Sequence, residues 1–384
     1  MRIARIPAGS GPNAWATLLE ARRGANDPLL DLTDADASPL AATSATSGAS
    51  PALPPSVHVP DPRGRRRARE AVVRYYADRG ITVDPDDIVL TASTSEAYAH
   101  LFRVLGEPGS VFAAPRPSYP LFEPLAQAEA VGIEPWRLRH DGAWHLDAGS
   151  LVASDPRGVI VVQPNHPTGT WLASADLALL EQWCARSGAV LIGDEVFGDF
   201  AWQDGVPGAE SLLAAPRAVP TVVMSGLSKV CGLPQLKLSW MAVTGPEPAK
   251  RELLAALEWV ADLFLSVSGP VQEALTDLLA GRHAFQAAVR ARVATNLARL
   301  DRAVAARPEL SRLAADGGWV AILRVPRVRT DEEWSLELLR RGVVVHPGHF
   351  YDIEEEAHLV LSLIVEEHVF DAGLTVIEAL AVEG

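Results

Sequence analysis

Lys229 is where this sequence concentrates its chemistry. A short apolar run, Thr221 to Met224, ends in Ser225-Gly226-Leu227-Ser228-Lys229 and continues through Gly232 to Lys237 and Trp240. Small neighbours leave room beside the amine for a flat ring. The hydroxyls of Ser225 and Ser228, with the loop that follows, can receive a phosphate. A desolvated lysine loses its proton and can form a Schiff base with an aldehyde. An isolated Ser-Lys pair would read better as a surface turn, but two further segments accompany this one. Val159 to Val162 runs into Gln163-Pro164-Asn165-His166-Pro167-Thr168-Gly169, and Ala189 to Ile192 runs into Gly193-Asp194-Glu195-Val196-Phe197. An acid at the carboxyl end of a buried strand is costly without a cationic partner, and a protonated ring nitrogen is such a partner. Taken singly, Asp194 reads as a helix N-cap and Pro167-Thr168-Gly169 as a turn. Three such segments in order, each after a strand, point to one site at the carboxyl ends of a parallel sheet.

On these residues the chain resembles pyridoxal-phosphate enzymes of fold type I, in the class I/II aminotransferase group. The resemblance runs from Leu30-Asp31-Leu32-Thr33 to Leu361-Ser362-Leu363. It implies pyridoxal 5′-phosphate as cofactor, with Lys229 as the Schiff-base lysine and Asp194 as the partner of the pyridine nitrogen. It implies that Tyr119, in Pro117-Ser118-Tyr119-Pro120, stacks on the ring, and that Ser93, Thr94 and Ser95 hold the phosphate. The phosphate assignment has its own physical basis: Ile88 to Thr91 reads as a strand and Ser95 onward as a helix, whose N-terminal amides attract an anion.

The departures from the family pattern are as informative. His166 stands where the family has an asparagine that donates to the cofactor's phenolic oxygen, so bulk and titration at this position are expected to alter the ring's electronics. Phe197 replaces a tyrosine donor. Lys237 stands at a phosphate-binding arginine and offers a point charge without the fork. In the proline-rich stretch around Val59 to Gly64, the tyrosine that reaches a neighbouring subunit's phosphate falls near His58. Val360, in His358-Leu359-Val360-Leu361-Ser362-Leu363, takes the place of the arginine that clamps the substrate carboxylate. His346 and His349 are candidate replacements, weighed evenly against ordinary loop residues. Their spacing suits no metal site.

Composition fits a large enzyme of two lobes: 384 residues, 48% of them hydrophobic, can bury a sizeable core. A net charge of −14 argues against nucleic acid or an anionic membrane as partner. Two cysteines, Cys184 and Cys231, make no disulfide framework and suggest the cytoplasm. The expected fold is α/β: a large, doubly wound, mostly parallel sheet domain over residues 63–268 and a smaller α+β domain over 269–384. Residues 1–40 form an arm with one helix, Ala14 to Gly24, followed by a linker at 41–62. Glu258 to Ser266 is expected within a long inter-lobe helix, and the Arg63 to Arg69 cluster at the start of an exposed one.

The family likeness implies a homodimer with shared sites and a reaction through a carbanion at the substrate's α-carbon, most simply transamination of an amino acid or amine. The alternative is elimination, replacement or carbon–carbon bond formation in secondary metabolism, for example on S-adenosylmethionine. A cofactor-binding protein without catalysis is a third reading, and retention of Lys229, Asp194 and Tyr119 together argues against it.

Overall fold

The computed structural model describes residues 12–44, 53–151 and 155–383. The first eleven residues of the arm and the middle of the linker lie outside the described residues. Eight strands form the main sheet, in the spatial order Ile88–Thr91, Ser239–Thr244, Thr221–Gly226, Val190–Asp194, Gly158–Val162, Val111–Arg116, Gly132–His140 and Trp144–Leu146. The five from Thr221–Gly226 to Gly132–His140 are mutually parallel, and the other three pair antiparallel. Central strands such as Gly158–Val162 are buried at every residue. This follows from helices covering both faces, and it is why these strands read as continuous apolar runs.

Helices Thr94–Leu105 and Glu247–Asp262 pack Leu101, Phe102, Leu254 and Leu257 on one face. Helix Ser174–Ser187 covers another part of the sheet with Leu180, Trp183 and Cys184. A smaller antiparallel sheet of Ser311–Arg312, Val320–Arg324, His358–Ser362 and His346–Pro347 follows. Trp319, Trp334, Phe370 and Ile377 build its core. Leu30–Asp31 pairs in parallel with Val343–Val344 and so fastens the arm to this lobe.

Four expectations need correction. Order persists into the linker, because Ser38–Ser44 is helical. Glu258 to Ser266 is not part of a long inter-lobe helix. The chain leaves the helix after Asp262, Leu265 is left-handed at φ 44°, and a new helix starts at Gly269 with a proline in its first turn. The long helix is Arg282–Ala306, 25 residues. Helix Gly269–Ala280, which a boundary at 268 gives to the small lobe, instead packs Val271, Leu275 and Leu279 with Tyr75, Tyr76 and Trp240 beside the large sheet. The arginine cluster is largely spent inside the chain. Arg69 is buried and donates to the Gly64 and Pro85 carbonyls, while Arg63 pairs with Glu258 and Arg65 with Glu273.

Candidate active site

Strand register assembles the site. Val162 pairs with Asp194, Asp194 with Met224, and Gly226 with Ser239. Side chains alternate between faces, so Val162, Asp194 and Gly226 share one face. There they line a cavity of about 240 Å³ together with Thr94, Ser95, Tyr119, His166, Phe197, Ser228, Lys229 and Ser239. Gly226 is required at this edge, since a Cβ there would lie 2.2 Å from Ser239 Oγ.

Asp194 is the buried anion of the cavity. Burial pushes its carboxyl up to about 6, against the Val196 amide, the Tyr98 hydroxyl and Lys229, which all favour the charged form. The Val196 amide donates to Oδ1 at 3.2 Å and Tyr98 donates to Oδ2 at 3.0 Å. Tyr98 sits one turn into the helix Thr94–Leu105, whose N-terminus is capped by Ser93. The Ser93 hydroxyl accepts from the Glu96 amide at 3.1 Å, so it serves the helix and not a ligand. Thr94 and Ser95, the first residues of this helix, line the cavity, where a helix N-terminus can receive an anion. One helix thus presents an anion-binding end and, a turn later, the group that steadies Asp194.

Lys229 is desolvated, which lowers its pKa; the Asp36 and Asp194 carboxylates act in the opposite direction. Its Nζ lies 4.8 Å from the Trp319 ring centre and 5.4 Å from that of Phe197. His166 stacks on Phe197 with centres 5.7 Å apart and planes at 20°. Burial, with Lys229 and His346 nearby, drops its pKa to about 3. It is therefore a neutral donor at working pH, which corrects the expectation that its titration tunes the ring.

The structure brings together Thr94, Ser95, Tyr119, His166, Asp194, Phe197, Ser228 and Lys229. Ser225 faces the other side of its strand, buried opposite Trp240. Lys237 is exposed on a left-handed residue at φ 50°, ahead of the strand Ser239–Thr244. His58 is exposed and lines a different cavity with Asp61, Arg65 and Leu265. Val360 is packed into a small apolar cluster with Leu313, Ile322, Tyr351 and Ile353. His346 is tied to Tyr351, its Nδ1 2.8 Å from the hydroxyl, and His349 to Asp331, which accepts from the His349 backbone amide at 2.7 Å. Cys231 is core filler, with Sγ against the Leu278 carbonyl.

Sequence reading missed Tyr98, Ala35 and Ser239 in the lining, and Trp319 and Tyr351 behind it. Only Tyr98 carried a usable signal, being one helical turn past the phosphate turn.

A carboxylate that no described cation pairs, an amine of lowered pKa, a helix N-terminus with two hydroxyls and an aromatic wall define a site for a flat, protonated heteroaromatic aldehyde bearing a phosphate. The residues fit pyridoxal 5′-phosphate: Asp194 would meet the ring nitrogen, Thr94, Ser95 and Ser228 the phosphate, and Lys229 the aldehyde. The chain belongs to the aminotransferase class I and II family, whose model matches residues 35–363, and pyridoxal 5′-phosphate is that family's cofactor. The glutamate–pyruvate aminotransferase AlaA of Escherichia coli K12 is 25% identical over 235 residues, 60% of this chain and 57% of that protein. The valine–pyruvate aminotransferase of Mycobacterium tuberculosis is 30% identical over 178 residues, 46% of this chain and 45% of the relative. The chain thus spans about half the length of the curated relatives it matches. Among solved structures, an alanine aminotransferase from Pyrococcus furiosus superposes with a TM-score of 0.83 at 20% identity, covering 99% of this chain and 100% of that one. An aminotransferase from Mycobacterium tuberculosis does so with a TM-score of 0.80 at 22% identity, covering 100% of both chains. At these identities the likeness shows the fold.

Proposed function

We propose that this chain is a pyridoxal-phosphate-dependent aminotransferase that moves an amino group from an amino acid or amine to a carbonyl acceptor. The observation that carries the reading is the placement of the Lys229 amine and the Asp194 carboxylate in one cavity, beside the helix end at Thr94 and Ser95. When bound, the cofactor supplies an aldehyde and a ring that accepts electrons from the substrate carbon. Asp194, anionic above a pH of about 6, would keep the ring nitrogen protonated. Lys229 Nζ, its proton affinity lowered by burial, would take the proton from the substrate carbon and return it two bonds away, across the nitrogen. Tyr119 and the neutral His166 orient the ring and exclude water.

A screen of amines against the reconstituted protein tests this. Expected is a carbonyl product together with the amine form of the cofactor. Loss of a side-chain group with the aldehyde retained would place the enzyme among eliminating enzymes instead. Lys229→Ala should keep the fold by circular dichroism, change the bound-cofactor absorbance and lower turnover about a thousandfold; unchanged absorbance would remove the central claim.

We also propose a homodimer. Its support is the exposed apolar set Val57, Val59, Trp259, Leu263 and Leu265, much of it around the cavity that His58 lines. Two free, buried cysteines suit a reducing cytoplasm. The departures at His166, Phe197 and Val360 suit a specialised substrate, as in secondary metabolism.

A further inference from the structure

The substrate end of the cavity is walled by neutral rings. Lys229 Nζ looks onto the faces of Phe197 and Trp319. Tyr119 and Tyr351 meet His166 edge-on at 5.8 and 5.3 Å, and the Tyr351 hydroxyl is spoken for by His346. His166 stays uncharged down to a pH of about 3, and burial lowers His346 and raises Tyr351. Among the described lining residues, the basic side chain is Lys229, which is the reacting amine. Two carboxylates act on these groups. Asp36 acts on Lys229, and Asp31, itself paired with Arg23 at the surface, acts on His346. Behind Tyr351, Val360 and Ile353 close the wall with apolar atoms.

We infer that the substrate of this site is a primary amine with no carboxylate on the reacting carbon, carried on an apolar or aromatic body. The inference rests on the aminotransferase reading above. A carboxylate next to the amine would be desolvated against rings and faced by Asp36, with no guanidinium among the described lining residues to receive it. An amine arriving as a cation is drawn by Asp36 and by the ring faces, and its hydrocarbon body is taken up by the same walls. The half-reaction balances without an added oxidant. The amine R–CH2–NH2 becomes R–CHO, the cofactor aldehyde becomes the cofactor amine, and the water released in condensation is consumed in hydrolysis.

The test uses matched probes on the reconstituted wild-type protein: phenethylamine against phenylalanine, and pentylamine against norleucine. Each pair differs by the carboxylate alone. Affinity is read from the change in cofactor absorbance on titration, and products are read by mass. Each amine should bind about tenfold or more tighter than its amino acid, the scale of a charge left without a partner. Ala35→Arg, which adds a guanidinium at an exposed lining position, should narrow that ratio. Equal or tighter binding of phenylalanine and norleucine overturns the inference, and if their amino groups are transferred the aminotransferase reading stands. Tighter binding of the amines with no transfer of nitrogen from either class keeps the pocket's preference for an amine without a carboxylate but sinks the aminotransferase reading, and with it the inference that these amines are its transamination substrates.

Discussion

Asp194 and Tyr98 show how one hydrogen bond can set the working range of a buried carboxylate. The hydroxyl favours the anion while burial opposes it, and the balance leaves the group near 6. Tyr98→Phe removes a bond to a charged acceptor, worth roughly 1.5–3 kcal/mol in such settings. The Asp194 pKa should then rise, and cofactor affinity should begin its acid-side fall at a higher pH. An affinity profile that keeps its acid limb would remove Tyr98 from the site. His166 has the opposite sign. It is neutral in the folded chain until about pH 3, while the unfolded chain takes up a proton near 6.5. The unfolded state therefore binds more protons between these values, and stability is lost as pH falls from 6.5 towards 3. In His166→Asn, the unfolding free energy from urea titration should decline less over that window, by up to ~1.4 kcal/mol per pH unit. Parallel wild-type and variant curves would refute the assignment.

At the scale of elements, the helix Thr94–Leu105 does two jobs that a remote helix allows to be separated. Ser93 caps it through the Glu96 amide. Thr330 caps helix Asp331–Arg340 in a reciprocal box with Glu333. Either residue changed to alanine should lower stability by ~1 kcal/mol in urea. Only Ser93→Ala should also weaken binding of the cofactor phosphate, because the first of these helices ends at the cavity. Equal cofactor affinity in both variants would mean that the phosphate is held elsewhere. The Pro167-Thr168-Gly169 turn is anchored in a similar way. Gly169, at φ 68°, accepts from the Asp316 and Gly317 amides, and a Cβ there would lie 2.6 Å from the Gly317 carbonyl oxygen. That staple ties the turn after His166 to the segment that leads into strand Val320–Arg324.

For the whole molecule, the cavity lies at the strand ends of the main sheet with Trp319 and Tyr351 of the smaller lobe behind its residues, and the exposed apolar residues fit the proposed second copy. Trp259 is 67% exposed and Leu263 60%, a large apolar surface for a single helix end. Trp259→Glu should shift the protein from dimer to monomer in sedimentation equilibrium while the fold persists. A monomeric wild type that keeps cofactor and activity would discard the proposal.

The strand-then-loop pattern around Lys229, Asp194 and Ser93 to Ser95 was readable in the sequence because each group follows a continuous apolar run, and doubly wound sheets collect such loops at one edge. Composition and order of elements likewise carried the α/β architecture. What the sequence alone could not settle was parity and approach. Ser225 and Gly226 are neighbours in the chain, but pleating turns one into the core and the other into the cavity. Tyr98, Trp319 and Tyr351 reach the site across packed surfaces far apart in sequence. Burial drops the His166 pKa to about 3, with rings from both lobes packed on it, and that burial exists only in the folded chain.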